Sequence, residues 1–352
     1  MKTALPLSRR FGAAMLFACA LEPLPAEAQE RLRLQLGEVA FTARVSASAQ
    51  GALIDRPGGG DSSDGNLDAS LRLNAEWISD TGWISGARFE IETEERESEE
   101  LQRDEAYVYI GNDYGRIEIG EQDGPADVMA LHAPVIGLGQ VRGDFSRYAG
   151  SSALLSAFDT SDTFKVIVLT APFGGLRAGV SWSPEFNRNS SAVNPRDRTL
   201  VDDVFEFGAQ YLAPFGDWVV GASAGYVTGK ADPITTRGDW DSWAIGSEAR
   251  RGPLTIGVGY VRRGESNSRT VDLNEWEVNA GVAWSEDVWG VALSAATTQS
   301  RTRDNNLVGV GGYYVINDFI TLRADAVYFR ETFPGRAGRD GGVLLTEIEF
   351  RY

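Results

Sequence analysis

The chain has 352 residues, a formal net charge of −17, one cysteine and one histidine. An acid excess of this size excludes a binder of nucleic-acid phosphates and draws cations instead. With Cys19 alone no disulfide or thiolate metal site is available, and with His132 alone no histidine metal pair.

In chain order, the first residues have the three parts of a secretory signal: Lys2, Arg9 and Arg10, the apolar run Phe11 to Ala20, and the small-x-small site Ala26-Glu27-Ala28. Residues 1–28 are therefore predicted to be removed, taking Cys19 with them, and residues 29–352 to form one domain. The first 28 residues carry three basic and two acidic groups, so the mature chain stands at −18. Beyond them no apolar run reaches the roughly 20 residues of a transmembrane helix. A barrel strand needs only about 9 to 11 residues and shows every second one to lipid.

That alternation starts at Glu38 to Gln50, where Val39, Phe41, Ala43, Val45, Ala47 and Ala49 interleave with polar residues. A Gly/Ser/Asp-rich loop, Gly51 to Asn66, leads to Leu67 to Trp77 with the same period of two, the strand signature. Trp83 to Glu92 follows a short turn, an acidic loop comes next, and Arg103 to Ile110 and Arg116 to Gln122 meet at Asn112-Asp113-Tyr114-Gly115. After residue 161 the pattern resumes as Phe164 to Ala171, Leu176 to Trp182, Val204 to Leu212, Trp218 to Val227, Trp240 to Arg250 and Leu254 to Val261. It closes with Leu273 to Trp284, Val288 to Thr298, Leu307 to Ile316, Phe319 to Phe329 and Val343 to Tyr352. Some sixteen segments joined by alternating short turns and long loops predict an all-β fold, a transmembrane antiparallel up-and-down β-barrel of about 16 strands.

Asp123 to Ser161 is the longest break in this series. It has neither strand nor helix period, yet is too apolar for a solvated loop, and long loops inside a compact fold are functional or disordered. The expectation is that it folds into the lumen and sets the width of a pore.

The two strand faces separate a barrel from a soluble sandwich. Lys and Arg stay off the apolar face at strand centres, where each would cost about 2 to 4 kcal/mol at the bilayer midplane. The other face carries Arg44, Arg72, Arg88, Glu90, Glu118, Lys165, Arg177, Glu206, Glu277, Arg323, Asp325, Glu347 and Glu349, more charge than a dry sandwich core holds. Trp77, Trp83, Trp218, Trp284 and Trp289 flank short turns, and Trp182, Trp240, Trp243 and Trp276 lie towards the longer loops, as two aromatic girdles would.

Two stretches carry a resemblance. Asp104-Glu-Ala-Tyr-Val-Tyr-Ile-Gly-Asn-Asp-Tyr-Gly-Arg-Ile-Glu-Ile-Gly-Glu-Gln-Asp123 has an aromatic strand, an aromatic-Gly turn and a Gly-containing strand entering the long loop, and Leu344, Ile348, Phe350 and Tyr352 alternate to a terminal aromatic. The chain thereby resembles the Gram-negative general porins, sixteen-stranded trimeric outer-membrane proteins, and in particular their α-proteobacterial type. The resemblance implies a homotrimer in the outer membrane, contacts with lipid and lipopolysaccharide, and a Tyr352 terminus read by the assembly machinery. It also implies a constriction in which Asp123, Asp127, Asp144 and Asp159 on the loop face Arg44, Arg72 and Arg88 on the first strands, with Arg142 and Arg147 as internal partners of the loop acids.

The expected function is a water-filled channel for passive diffusion of small hydrophilic solutes, cation-preferring from its charge. A substrate-selective channel for a sugar or organic acid, and a barrel enzyme using His132, are the alternatives; no catalytic residue is assigned. Glu94, Glu95, Glu97 and Glu99 in the acidic loop are candidate Ca²⁺ ligands by their oxygen chemistry, beside the plainer reading of a solvated loop or a latch onto a neighbouring subunit.

Overall fold

A computed structural model describes residues 32–55, 62–93, 101–150, 152–158, 160–186, 201–231, 238–264 and 273–352. The predicted signal peptide, Asp159, and the candidate calcium ligands Glu94, Glu95, Glu97 and Glu99 lie outside the described residues.

The strands are β1 (Leu32–Leu36), β2 (Val39–Asp55), β3 (Ser62–Ile78), β4 (Ile84–Thr93), β5 (Leu101–Asn112) and β6 (Gly115–Glu121). After the central loop come β7 (Phe164–Thr170), β8 (Leu176–Phe186), β9 (Val201–Phe215), β10 (Trp218–Ala231), β11 (Trp240–Arg251) and β12 (Leu254–Arg263). The last are β13 (Glu275–Ser285), β14 (Trp289–Gln299), β15 (Asp304–Asn317), β16 (Ile320–Phe333) and β17 (Arg336–Arg351). From β2 each strand pairs antiparallel with the next, and β17 returns to β2, closing a barrel of sixteen strands with no free edge.

The seventeenth strand, β1, was not expected. It forms a hairpin with the start of β2, Leu32 opposite Ala43 and Leu36 opposite Val39. The chain's C-terminal end occupies the next stretch of the same β2 edge, with Val45 and Tyr352 exchanging backbone hydrogen bonds of 2.8 and 2.9 Å. β1 and the end of β17 therefore lie in line, and β2 is paired on both sides along its length.

Two expected loops are shorter than read from composition. β2 and β3 stay paired as far as Ile54 opposite Ser62, through most of the Gly/Ser/Asp-rich stretch, and β16 and β17 as far as Phe333 opposite Arg336. Glycine and aspartate disfavour isolated strands, but a partner already in register overrides that preference. Trp240 is a further correction: it points inward, 2% exposed, and stacks on Phe158 at 4.7 Å instead of joining a lipid-facing girdle.

Side chains alternate across the wall as the sequence requires. Phe89, Val108, Ile119, Phe207, Ile245, Val258, Leu293 and Ile348 face out and are exposed, whereas Glu90, Glu118, Glu206, Glu277 and Glu347 face in. Apolar outward and ionisable inward is the arrangement that lipid outside and water inside select.

Candidate pore and constriction

The central loop leaves β6 just after Gly120, whose φ of +143° and tight approach to Tyr107 across the pair suit only glycine. Its two ends are tied by Lys165, fully buried on β7, whose Nζ donates to the carbonyl oxygens of Gln122 and Ser161. Beyond this neck the loop holds a short helix α1 (Pro125–Val128), a 3-10 turn at Gln140–Arg142 and a second short helix α2 (Phe145–Ala149). α1 packs on β8, β9 and β10, the 3-10 turn on β14, β15 and β16, and α2 on β17.

An irregular segment buried in a barrel must find acceptors for its backbone N–H groups. The wall supplies them. Leu131 donates to Ser223 Oγ on β10 at 2.8 Å and Ala133 to Asn279 Oδ1 on β13 at 2.9 Å. Leu138 and Gln140 both donate to Asp325 on β16, at 3.1 and 2.6 Å. On the return arm Leu154 and Leu155 donate to the two oxygens of Glu277, at 2.6 and 3.0 Å, and Thr160 Oγ1 donates to Glu206. These three carboxylates are 2% exposed or less. They were expected among the charges of a wet bore; they are dry acceptors for the loop.

Two further features fix the loop to this side. Inward glycines let it lie on the wall's backbone: a Cβ at Gly208 would meet the Pro125 carbonyl, at Gly246 that of Leu131 and at Gly257 that of His132. Apolar side chains fill the remaining space in two clusters, one around Phe145, Leu155, Leu307, Phe329 and Leu345, the other around Phe158, Val204, Val227, Trp240 and Val261. The loop thus lines the wall from β8 to β17, and its tip reaches β2 where Gln50 Nε2 donates to Asp144 at 2.6 Å. Opposite the loop, on β3 to β6, the inward side chains of Arg72, Arg88, Arg103 and Arg116 stay about one third exposed, which marks the open side of the lumen.

On that bare wall Arg72 Nε is 2.5 Å from Glu90. Arg88 binds Glu105 at 3.1 Å and Asn74 at 3.0 Å and lies 5.6 Å from the Tyr107 ring centre. Arg44 on β2 is in register with Arg72. Within the loop Asp127 accepts from Ser156 at 2.5 Å and is 3.5 Å from Arg142, which also donates to the Leu154 carbonyl at 2.9 Å, so this pair joins the two arms of the loop. Arg147 lies 3.8 Å from Asp68 on β3 and 4.0 Å from Asp144, whose carboxyl is pushed up by burial. Where the tip meets the bare wall, then, a loop cation faces a wall anion, opposite in sense to the loop-acid and wall-arginine pairing that the resemblance implies.

Asp123 and Asp162 stand at the two ends of the neck, and Asp162 hydrogen-bonds Asp104 on β5. Burial first, then the negative charges of Asp104 and Asp123, push the Asp162 carboxyl up to about 8. His132 has its Nδ1 on the Ala133 carbonyl at 2.7 Å, and burial lowers its pKa, which keeps the ring neutral.

Residues 12–332 match the family described as Gram-negative porin. The chain belongs to this family. As a Gram-negative porin it is an outer-membrane β-barrel and a channel. Its fold is similar to that of Salmonella typhi OmpF, solved with daunomycin, at 15% identity and a TM-score of 0.67 over 91% of this chain and 100% of that one. A substituted Rh. blastica porin gives 12% identity and 0.59 over 89% and 100%, and Pseudomonas putida OprB 8% and 0.64 over 89% and 94%. No curated protein matches the sequence. The residues that seat the porin's loop, Gly246, Gly257, Ser223 and Asn279, were not foreseen, because none is ionisable. Their signal lay in the inward positions of β10 to β13, where small and amide residues such as Ser223, Gly246, Gly257 and Asn279 stand between the carboxylates of Glu248 and Glu277.

Proposed function

We propose that this porin is a general diffusion channel for small hydrophilic solutes, that it prefers cations, and that it works as a homotrimer. The observation that carries the reading is the one-sided seating of the loop: it leaves a passage whose opposite wall presents ionised and amide side chains, among them Arg72, Glu90, Arg88, Glu105 and Asn74. Width and fixed charge decide what passes such a bore. Arg72 and Arg88 each hold a carboxylate, so the wall's own field is small and the mature chain's net charge of −18 sets the sign. Single-channel currents in a planar bilayer under a salt gradient test this. Stepwise currents in threes with a cation-selective reversal potential are expected; folded protein that passes no current overturns the diffusion reading, and an anion-selective potential overturns the preference.

The trimer reading draws on β2, whose outward Ala47 and Ala49 leave its backbone open to a second wall. Cysteine in place of Ala47 should crosslink subunits, and its failure to do so in folded protein counts against this contact. In the same reading lipopolysaccharide borders the outer rim, and the assembly machinery reads the end at Tyr352, which stacks at 5.8 Å on Phe319.

A further inference from the structure

Arg177 differs from the lumen-facing arginines around it. It stands on β8 just past the short turn 171–175 and two residues from Gly179, whose inward side is covered by Pro125 and Met129 of the loop. That places it below the loop, where the passage opens towards the short-turn rim. Arg72, Arg88 and Arg116 each hold a carboxylate. Among the described residues Arg177 makes no hydrogen bond and no ion pair.

Its surroundings leave it that way. On β9 its partner in register is Gln210, whose amide is turned to the Met129 carbonyl at 3.4 Å. On β6 the nearby carboxylate is Glu118, already held by Arg116, and Arg116 itself lies 4.2 Å from the Tyr109 ring centre. The next carboxylate, Glu76, takes the Tyr109 hydroxyl at 2.8 Å, so Arg177 is left without a carboxylate of its own beside a second guanidinium. A guanidinium offers a planar fork of donors matched to the oxygens of a carboxylate or phosphate.

We propose that Arg177, with Arg116 as the second cation, forms an oxyanion subsite at the inner mouth of the pore, taking a small carboxylate or phosphate as it passes. The subsite rests on the open passage proposed above, and in a cation-preferring pore it selects among anions without reversing the overall preference.

The test uses the full-length porin in a planar bilayer in potassium chloride, with inorganic phosphate in one series and acetate in another. Reversible reduction of the wild-type current is expected, and the half-blocking concentration should rise roughly tenfold or more in Arg177→Gln, the size of a lost charge-assisted hydrogen bond. Arg177→Lys should fall between, since it keeps the charge and loses the fork. Block by both anions assigns the carboxylate as sufficient, and block by phosphate alone assigns a phosphate station. Wild-type current unchanged by either anion, or equal block in wild type and Arg177→Gln, overturns the subsite. Folding of the variants is read separately from their strand signal by circular dichroism. Wild-type protein that passes no current at all fails the open-passage reading instead.

Discussion

The wall from β8 to β17 and the wall from β3 to β6 are built from the same alternation and do different work. On the first, Glu206, Glu277 and Asp325 are out of reach of water and bind loop hydroxyl and amide groups. On the second, Glu90 and Glu105 pair with arginines that are about one third exposed. A carboxylate facing the lumen is thus an acceptor for the loop on one side and, on the other, the partner of an arginine that water reaches. Removing the first leaves buried donors unsatisfied, whereas removing the second frees an arginine that is about one third exposed and can turn to water.

Glu277→Ala should break the difference most strongly. It strips the acceptor from Leu154 and Leu155 and a partner from Thr298 and Asn279. Each buried group left unsatisfied costs about 1 to 3 kcal/mol. Thermal unfolding at a clearly lower temperature is expected, with larger and noisier single-channel currents as the return arm leaves the wall. Stability and current equal to wild type would mean that the loop does not depend on this acceptor.

Gly246→Ala attacks the seat through shape instead of charge. The new methyl would meet the Leu131 carbonyl, and backbone cannot move aside as a flexible side-chain end can. The loop should shift off β11, with a loss smaller than that of Glu277→Ala because its hydrogen bonds on the neighbouring strands remain. A raised conductance checks it. Gly252, in a tight turn at φ +55° with open space around it, is the contrast: alanine there should strain the turn and leave the conductance alone.

The barrel was legible because lipid on one side and water on the other write a period of two into every strand. β1 also alternates, as Leu32-Arg33-Leu34-Gln35-Leu36, but five residues that bury nothing carry too little pattern to stand apart from a linker. The loop's seating side left a trace: Val327-Tyr328-Phe329 and Val343-Leu344-Leu345 are apolar at both parities, which a strand facing water on its inner side would not be. The partners in the pore were not legible. Arg72 meets Glu90 and Arg147 approaches Asp68 through strand register and loop path, neither of which is written locally at those residues.

Arg72→Gln probes the opposite wall and should cost less stability than Glu277→Ala, because Arg72 is 30% exposed and a glutamine amide can still donate to the buried Glu90. Glu90 then stands without its arginine, so cation selectivity should rise by a modest factor in reversal-potential measurements. An unchanged potential would show that the charge on this wall lies outside the ion path.

The smallest effect is expected at the neck, where the two half-walls meet. Asp162 is held as the neutral acid up to about pH 8 and bonds Asp104, with Asp123 and Glu105 close by and Lys165 tying the neighbouring Ser161 carbonyl. Its folded pKa lies above its unfolded value of about 3.9. For an acid, that means the unfolded chain gives up this proton first, so stability falls as pH rises from about 4 to about 8 and levels off beyond. Ionisation sets like charges against one another at the base of the loop. Current noise should therefore increase on going from pH 7 to pH 9, and Asp162→Asn, which stays neutral, should abolish that change while leaving the pH 6 trace as it was. Noise that grows equally in the variant would place the titrating group elsewhere, and the neck would then be held by Lys165 and its two carbonyl partners, whatever the charge of Asp162.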